Sequence, residues 1–382
     1  MTLLTLLSLP GLLLTGVAQE TETPTVPATD ISPTELVDVF VSGEDGYHTY
    51  RIPAAIQAAN GDLLAFCEGR KSGRSDSGDI DLVLKRSSDG GATWSKLSLV
   101  WDDGANTCGN PCPVLDRETG AIQLLSTHNL GHDHEREIID GTSEGTRTVW
   151  VMESVDDGET WSKPREITAQ AKNPTWTWYA TGPGAGIQLE RGDHAGRLVI
   201  PCDHIEAESK RYYSHAIFSD DHGKTWQLGD STPDDQVNEC EVVELEDGRL
   251  MLNMRNYDRK KRERQVALSA DGGETWTGQR HDPVLIEPIC QASIRRLRWR
   301  GDESPGVILF SNPADEGGRR RMTLRASFDD GSSWGYEQVL YEGSSAYSCL
   351  VPIAGGDAGC FFEVDGYGRI VLARIQGTRI AP

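Results

Sequence analysis

Short runs of alternating apolar and polar residues recur along the chain. Five can be set side by side: DLVLKRS (81–87), TVWVMES (148–154), SHAIFS (214–219), QVALS (265–269) and TLRAS (323–327). A period of two puts every second side chain on one face, the mark of a half-buried β-strand. Each run leads into the same pattern, S-x-D-x-G-x-[ST]-W. It reads SSDGGATW at Ser87–Trp94, SVDDGETW at Ser154–Trp161, SDDHGKTW at Ser219–Trp226, SADGGETW at Ser269–Trp276 and SFDDGSSW at Ser327–Trp334. In this box the Asp can accept hydrogen bonds from backbone amides further on, and the Gly supplies a positive φ. The box therefore predicts a hairpin joining two neighbouring strands, remote from any chemistry.

The boxes start 67, 65, 50 and 58 residues apart. That interval fits one four-stranded blade with its loops, and repeats of this period signal a closed array. The stretch 36–382 holds about six such intervals. The expected fold is all-β, a six-bladed β-propeller, with one blade lacking a box and closed by both chain ends.

Before this domain the pattern changes. Residues 2–17 are apolar (TLLTLLSLPGLLLTGV), and Gly16, Val17 and Ala18 form a small-x-small site. Residues 1–18 thus read as an export signal peptide, although no Lys or Arg precedes the apolar run. Pro10 and the short length argue against a spanning helix. Residues 19–35 (QETETPTVPATDISPTE) are acidic, rich in Pro and Thr and aperiodic, as a disordered tether would be. Export allows disulfides, and Cys108 and Cys112 (CGNPC) are close enough to pair within one loop; the other cysteines read as small buried hydrophobes. There is no N-x-[ST] sequon with a permitted middle residue, which points to a secreted or periplasmic bacterial protein rather than a glycosylated animal one.

The 382 residues carry a net charge of −22, the reverse of the balance a nucleic-acid binder shows. C-x3-C without a second pair or a nearby His is a poor metal site, and the nine His are scattered, so neither metal nor other cofactor is expected. TGPGAG (181–186) is flanked by alternating strands rather than a helix, so it is not read as a phosphate loop.

The most specific segments lie between the boxes. YRIPA (Tyr50–Ala54) precedes the first, and in this setting the chain resembles the exo-sialidase (neuraminidase) family from Val37 onward. The resemblance implies a retaining glycosidase acting on terminal sialic acids of glycoproteins, glycolipids or oligosaccharides. It implies three arginines for the substrate carboxylate: Arg51 in YRIPA, Arg255 in LNMRN and Arg319 in GGRRRMT, with Arg320 and Arg321 as adjacent alternatives. Guanidinium groups suit this work, being permanently charged and able to grip a carboxylate with two parallel hydrogen bonds. It implies a Tyr nucleophile, an exception among glycosidases, at Tyr347 in SSAYSCL. A neutral phenol can approach an anomeric carbon that already bears a carboxylate. Its implied base is Glu239 in NECEV, with Glu241 as rival. The implied acid/base is Asp76 in GRSDSG, near Asp79 and near Asp81, which alternation turns to solvent. Arg70 would lie by the sugar's 4-hydroxyl, and Glu363 in GCFFEV would orient Arg51. Trp176 and Trp178 in WTWYATG fit either sugar packing or ordinary core. Related box-bearing folds include non-catalytic sugar-binding or interaction modules and trans-sialidases, so these remain the alternatives.

Overall fold

The computed structural model describes Met1 and residues 35–301 and 304–382. The expected signal (1–18) and tether (19–35) lie outside these residues, apart from Met1 and Glu35. The compact unit Thr34–Pro382 is built almost wholly of antiparallel strands, with two short helices, Glu135–Asp140 and Thr168–Ala171.

Strand pairing arranges the described residues in six four-stranded units. The first comprises Thr49–Gln57, Leu63–Arg70, Ile80–Ser87 and Ser98–Trp101. The second comprises Thr107–Leu115, Ile122–Asn129, Thr148–Ser154 and Arg165–Glu166. The third comprises Trp176–Thr181, Leu198–Glu206, Tyr212–Ser219 and Gln227–Leu228, with Ile187–Gln188 beside its second strand. The fourth comprises Val237–Glu244, Leu250–Asn256, Glu263–Ser269 and Thr277–Ile286. The fifth comprises Ser293–Arg298, Val307–Pro313, Arg320–Ser327 and the first half of the long strand Tyr336–Ile353. The second half of that strand opens the sixth unit, followed by Asp357–Val364 and Arg369–Ile375. Its last strand is Leu36–Val41, which pairs Leu36 with Ala373. Successive units abut in chain order, and Tyr336–Ile353 of the sixth packs against Thr49–Gln57 of the first.

Each box joins the third and fourth strands of its unit, and the sixth unit has none. In the first, Ser87 Oγ donates to Asp89 Oδ1 (2.7 Å) and accepts from the Gly91 amide (2.8 Å). Asp89 also accepts from the Thr93 amide (2.9 Å) and hydroxyl (2.6 Å). The same four bonds recur around Asp156, Asp221, Asp271 and Asp329. Two successive residues carry positive φ in every box, as at Gly90 (68°) and Gly91 (91°), which explains the Gly, Asp or His before the fixed Gly.

The apolar side chains meet between units rather than on one face of a sheet. One cluster joins Leu64 and Phe66 of the first unit to Leu124 of the second and Leu372 of the sixth; others join the second to the third, the third to the fourth, the fourth to the fifth and the fifth to the sixth. Trp161 of the second box meets Phe66 of the first unit edge-on, with ring centres 5.7 Å apart.

This stacking corrects the expectation of half-buried strands. Ile80–Ser87, Tyr212–Ser219 and Arg320–Ser327 are buried along most of their length, because each sheet is covered on both sides. Asp81 does not face solvent. It is fully buried, accepts from the Tyr47 hydroxyl (2.5 Å) and pairs with Lys71 (3.0 Å). Cys108 and Cys112 do not share a loop either: both lie in Thr107–Leu115, and all eight cysteines are buried and free.

Candidate active site

The first strands of five units break register. The shifts fall between Arg51 and Ala54, Gly109 and Cys112, Trp176 and Tyr179, Val237 and Cys240, and Ser345 and Ser348. A bulge of this kind bends a strand and re-aims a side chain. Ile52 and Asn110, inside two of these bulges, hold positive φ (63° and 53°), a costly conformation for a β-branched residue such as Ile52. Arg51, Asn110, Trp178, Asn238, Glu239 and Tyr347 stand at these bulges and line one cavity of about 270 Å³. No box residue lines it.

Seven of the eight residues singled out by resemblance line this cavity: Arg51, Arg70, Asp76, Glu239, Arg255, Arg319 and Tyr347. The eighth, Glu363, sits behind Arg51. Its Oε1 accepts from Arg51 Nε (2.6 Å) and the Ile52 amide (2.9 Å), and its Oε2 accepts from the Tyr347 amide (3.1 Å). One carboxylate thus fixes the first arginine, the strained bulge and the backbone of the tyrosine. Burial works against the charge on Arg51, but Glu363, joined by Tyr347 and Tyr367, more than offsets it and holds the guanidinium protonated.

Tyr347 donates its hydroxyl to Glu239 Oε1 (2.5 Å). Arg255 Nη1 spans both, donating to Glu239 Oε2 (2.5 Å) and to the Tyr347 oxygen (3.0 Å). Burial first, then Glu239, push the phenol well above its ordinary range, while Arg255 and Arg319 pull the other way. Tyr347 is therefore a neutral hydroxyl already hydrogen-bonded to a carboxylate, the arrangement a general base needs to activate a nucleophile.

Arg319 donates to the Tyr367 hydroxyl (3.2 Å), and Arg51 stacks on the Tyr367 ring at 4.0 Å. Arg320 instead pairs with Asp315, and Arg321 faces Glu337 and Glu342 outside the cavity. Glu241 is also apart: it accepts from Ser293 Oγ (2.7 Å) and the Ile294 amide (2.9 Å), and burial raises its carboxyl to about 7.

Asp76 lies between Leu63–Arg70 and Ile80–Ser87, with its side chain 66% exposed at the cavity mouth. It pairs with Arg70 (2.8 Å) and more distantly with Arg51 (3.9 Å). Burial raises its pKa, but Arg70 and then Arg51 more than offset this and hold it below the usual carboxylate range. Glu68 anchors Arg70 in turn (2.6 Å). Trp176 and Trp178 divide the two expectations between them: Trp176 is buried against His204, ring centres 3.4 Å apart, whereas Trp178 lines the cavity.

Several lining residues have no counterpart in the sequence expectations, among them Glu68, Asn110, Arg147, Asp203 and Tyr367. Asp203 carried one usable signal, a carboxylate placed directly after the apolar run LVIPC within a strand.

Six abutting four-stranded units thus gather three arginines and a Tyr–Glu pair around one cavity. The BNR repeat-like domain family matches residues 61–360. A sialidase of Micromonospora viridifaciens is 36% identical, over 85% of this chain and 51% of that protein. An exo-alpha-sialidase of Aspergillus fumigatus is 34% identical, over 77% of this chain and 72% of that protein. Among solved structures, the Hadza microbial sialidase Hz136 superposes with a TM-score of 0.80 at 32% identity, covering 89% of this chain and 68% of that one. The chain belongs to the sialidase family. It spans about half the length of the Micromonospora relative.

Proposed function

We propose that this chain is an exo-α-sialidase that hydrolyses terminal sialic acids from glycoproteins, glycolipids or oligosaccharides with retention of configuration. The observation that carries this reading is the hydroxyl of Tyr347 on Glu239, held in a cavity with Arg51, Arg255 and Arg319. A sugar-binding module could use the arginines, but it has no need of a buried phenol hydrogen-bonded to a base. The six abutting units are read as the blades of a β-propeller, with the site at one end of its axis.

In this mechanism the three arginines hold the substrate carboxylate. Asp76, as the neutral acid, gives its proton to the leaving glycosidic oxygen. The substrate carboxylate offsets the arginine charge around Asp76, which eases that protonation. The Tyr347 proton passes to Glu239 as the phenol oxygen bonds to the anomeric carbon and the glycosidic bond breaks. Water then attacks the same carbon, Asp76 takes its proton, and Tyr347 departs and recovers its own from Glu239. Two inversions give net retention. Export to a secreted or periplasmic location, read from residues 2–17, belongs to the same proposal, as does the division into signal (1–18), tether (19–35) and catalytic domain (36–382).

The test is fluorophore release from an aryl α-sialoside, with the first-formed anomer followed by NMR. Tyr347→Phe should lower kcat by about 10³-fold or more with melting unchanged, on the scale of losing an activated nucleophile. An inverted first product, or near wild-type turnover in the folded variant, would remove the mechanism.

A further inference from the structure

The strands that supply the catalytic cavity continue beyond it into a second one. Ala55, Val114, Val243 and Val351 each stand four residues after Arg51, Asn110, Glu239 and Tyr347, at most about 13 Å along an extended chain, and line a cavity of about 340 Å³. Ile187 of the third unit and Arg295 of the fifth join them, so all six units contribute. The two cavities share no lining residue, and the second is large enough for a small organic ligand.

Its walls are largely apolar, with Ile56, Leu115, Ile187 and Pro352 among them. Three arginines, Arg117, Arg295 and Arg296, stand against two glutamates, Glu190 and Glu244, which leaves one positive charge in a chain whose total is −22. Four of these five groups are already engaged. Arg117 pairs with Glu190 (3.4 Å) and Arg296 with Asp330 (2.7 Å), while Glu244 accepts from the Glu190 and Arg191 amides (2.8 Å each). Arg295 is the exception. It is 6% exposed, and its Nη1 donates to the Gly186 carbonyl (3.1 Å). Among the described residues it makes no other hydrogen bond and no ion pair, and its Nε and Nη2 are not sealed in protein. The carboxyl whose charge reaches it, Glu241, is raised to about 7 by burial and gives its Oε2 to Ser293 and Ile294. A guanidinium that is nine-tenths buried without a counter-ion costs free energy, and an anion in the cavity would recover it.

Nε and Nη2 form one edge of the guanidinium fork, the edge that takes the two oxygens of a carboxylate. The walls around it match an alkyl chain, whereas an inorganic anion would leave them against water. We infer that this cavity is a second binding site, for a medium-chain aliphatic monocarboxylate with its head on Arg295 and its tail against Ile56, Leu115 and Ile187. The site stands on its own residues and does not depend on the sialidase reading.

The test is titration calorimetry of the full chain with octanoate, repeated with a dehydrated sialic acid analogue present to occupy the catalytic arginines. The expected result is one site with a Kd of about 0.1 mM or tighter, the same with and without the analogue. Weaker binding overturns the inference, and displacement by the analogue does so too, because it places octanoate on the catalytic arginines. Octanol lacks the charge and butyrate most of the tail, so each should bind at least tenfold more weakly; a smaller difference for either overturns the inference. Arg295→Met keeps the apolar stem and removes the charge, and should weaken octanoate binding at least tenfold. A smaller loss in a variant with a cooperative melt likewise overturns it. Should that variant not fold, the ratio of octanoate to octanol on the wild type decides.

Discussion

Glu363→Gln is the substitution that most directly tests how the site is held together. The carboxylate accepts three hydrogen bonds through two oxygens, from Arg51, Ile52 and Tyr347. An amide offers one oxygen, so whichever way it turns, its NH₂ faces an N–H. Arg51 also loses its buried counter-ion; breaking such a pair costs about 3–5 kcal/mol, and a stranded buried donor about 1–3. Asp76 at 3.9 Å and the Tyr367 ring still face Arg51, so the lower end, ~3 kcal/mol, is expected. Unfolding entropy of ~2.1 cal/mol/K per residue over a unit of about 350 residues is ~0.7 kcal/mol/K, which converts that loss to a Tm fall of about 4 °C. Arg51 should loosen as well, raising KM and lowering kcat/KM by about 10²-fold, as small misplacements of a positioning group do. Calorimetry and aryl sialoside hydrolysis read the two effects. A Tm within about 1 °C of wild type together with kcat/KM within about threefold would refute the argument that Glu363 organises the site.

Three further outcomes are expected. Arg70 is the main group lowering the pKa of Asp76, and an acid works only below its pKa; Arg70→Gln should therefore move the falling limb of kcat/KM against pH upward by about one unit, and a limb that stays put or moves down assigns it to another group. Trp161→Ala should destabilise by about 2 kcal/mol in denaturant titrations, less than a fully buried Trp because the ring is half-buried against Phe66; a loss below about 0.5 kcal/mol would mean the box Trp does not bind neighbouring units together. The box carboxylates Asp89, Asp156, Asp221, Asp271 and Asp329 all have lowered folded pKa values, so their stabilisation is present above the unfolded value near 3.8 and is lost as pH falls through the folded values. Tm should accordingly hold down to about pH 4 and drop below it, and the drop should shrink in Asp89→Asn.

The parts of this molecule that were legible in its sequence are the local ones. A box closes its bonds within eight residues, so five copies declare both the turn and the period. The terminal closure followed from arithmetic on that period. Asp81 was misread because alternation was taken to mean one wet face, whereas these sheets are covered on both. CGNPC was misread because closeness in sequence was taken to mean one loop, whereas Cys108 and Cys112 lie in one strand across a register shift. The arginines, Tyr347 and Glu239 were recognisable only through resemblance to a family. Nothing in the chain between them states that Arg51 and Glu363, 312 positions apart, touch. Arg147 and Asp203 were missed for a related reason: a polar residue beside an apolar strand looks the same whether it caps a core or faces a substrate, until neighbouring units are set beside it.

The pairing of Leu36–Val41 with Arg369–Ile375 also sets a schedule. During synthesis Leu36–Val41 has no partner until Arg369–Ile375, more than 300 residues later, emerges. At ~5–20 residues per second, that wait is about 20 s to a minute. Throughout it, five units can assemble while the sixth is missing its edge strand. An exposed strand edge invites pairing with another chain. Arg369 joins Asp38 (2.5 Å) across this seam only at the end. The late-arriving strand Arg369–Ile375 is therefore what decides whether a nascent chain closes upon itself or upon its neighbour, so recombinant yield should respond to translation rate and to loss of either strand of this pair more sharply than to surface substitutions elsewhere.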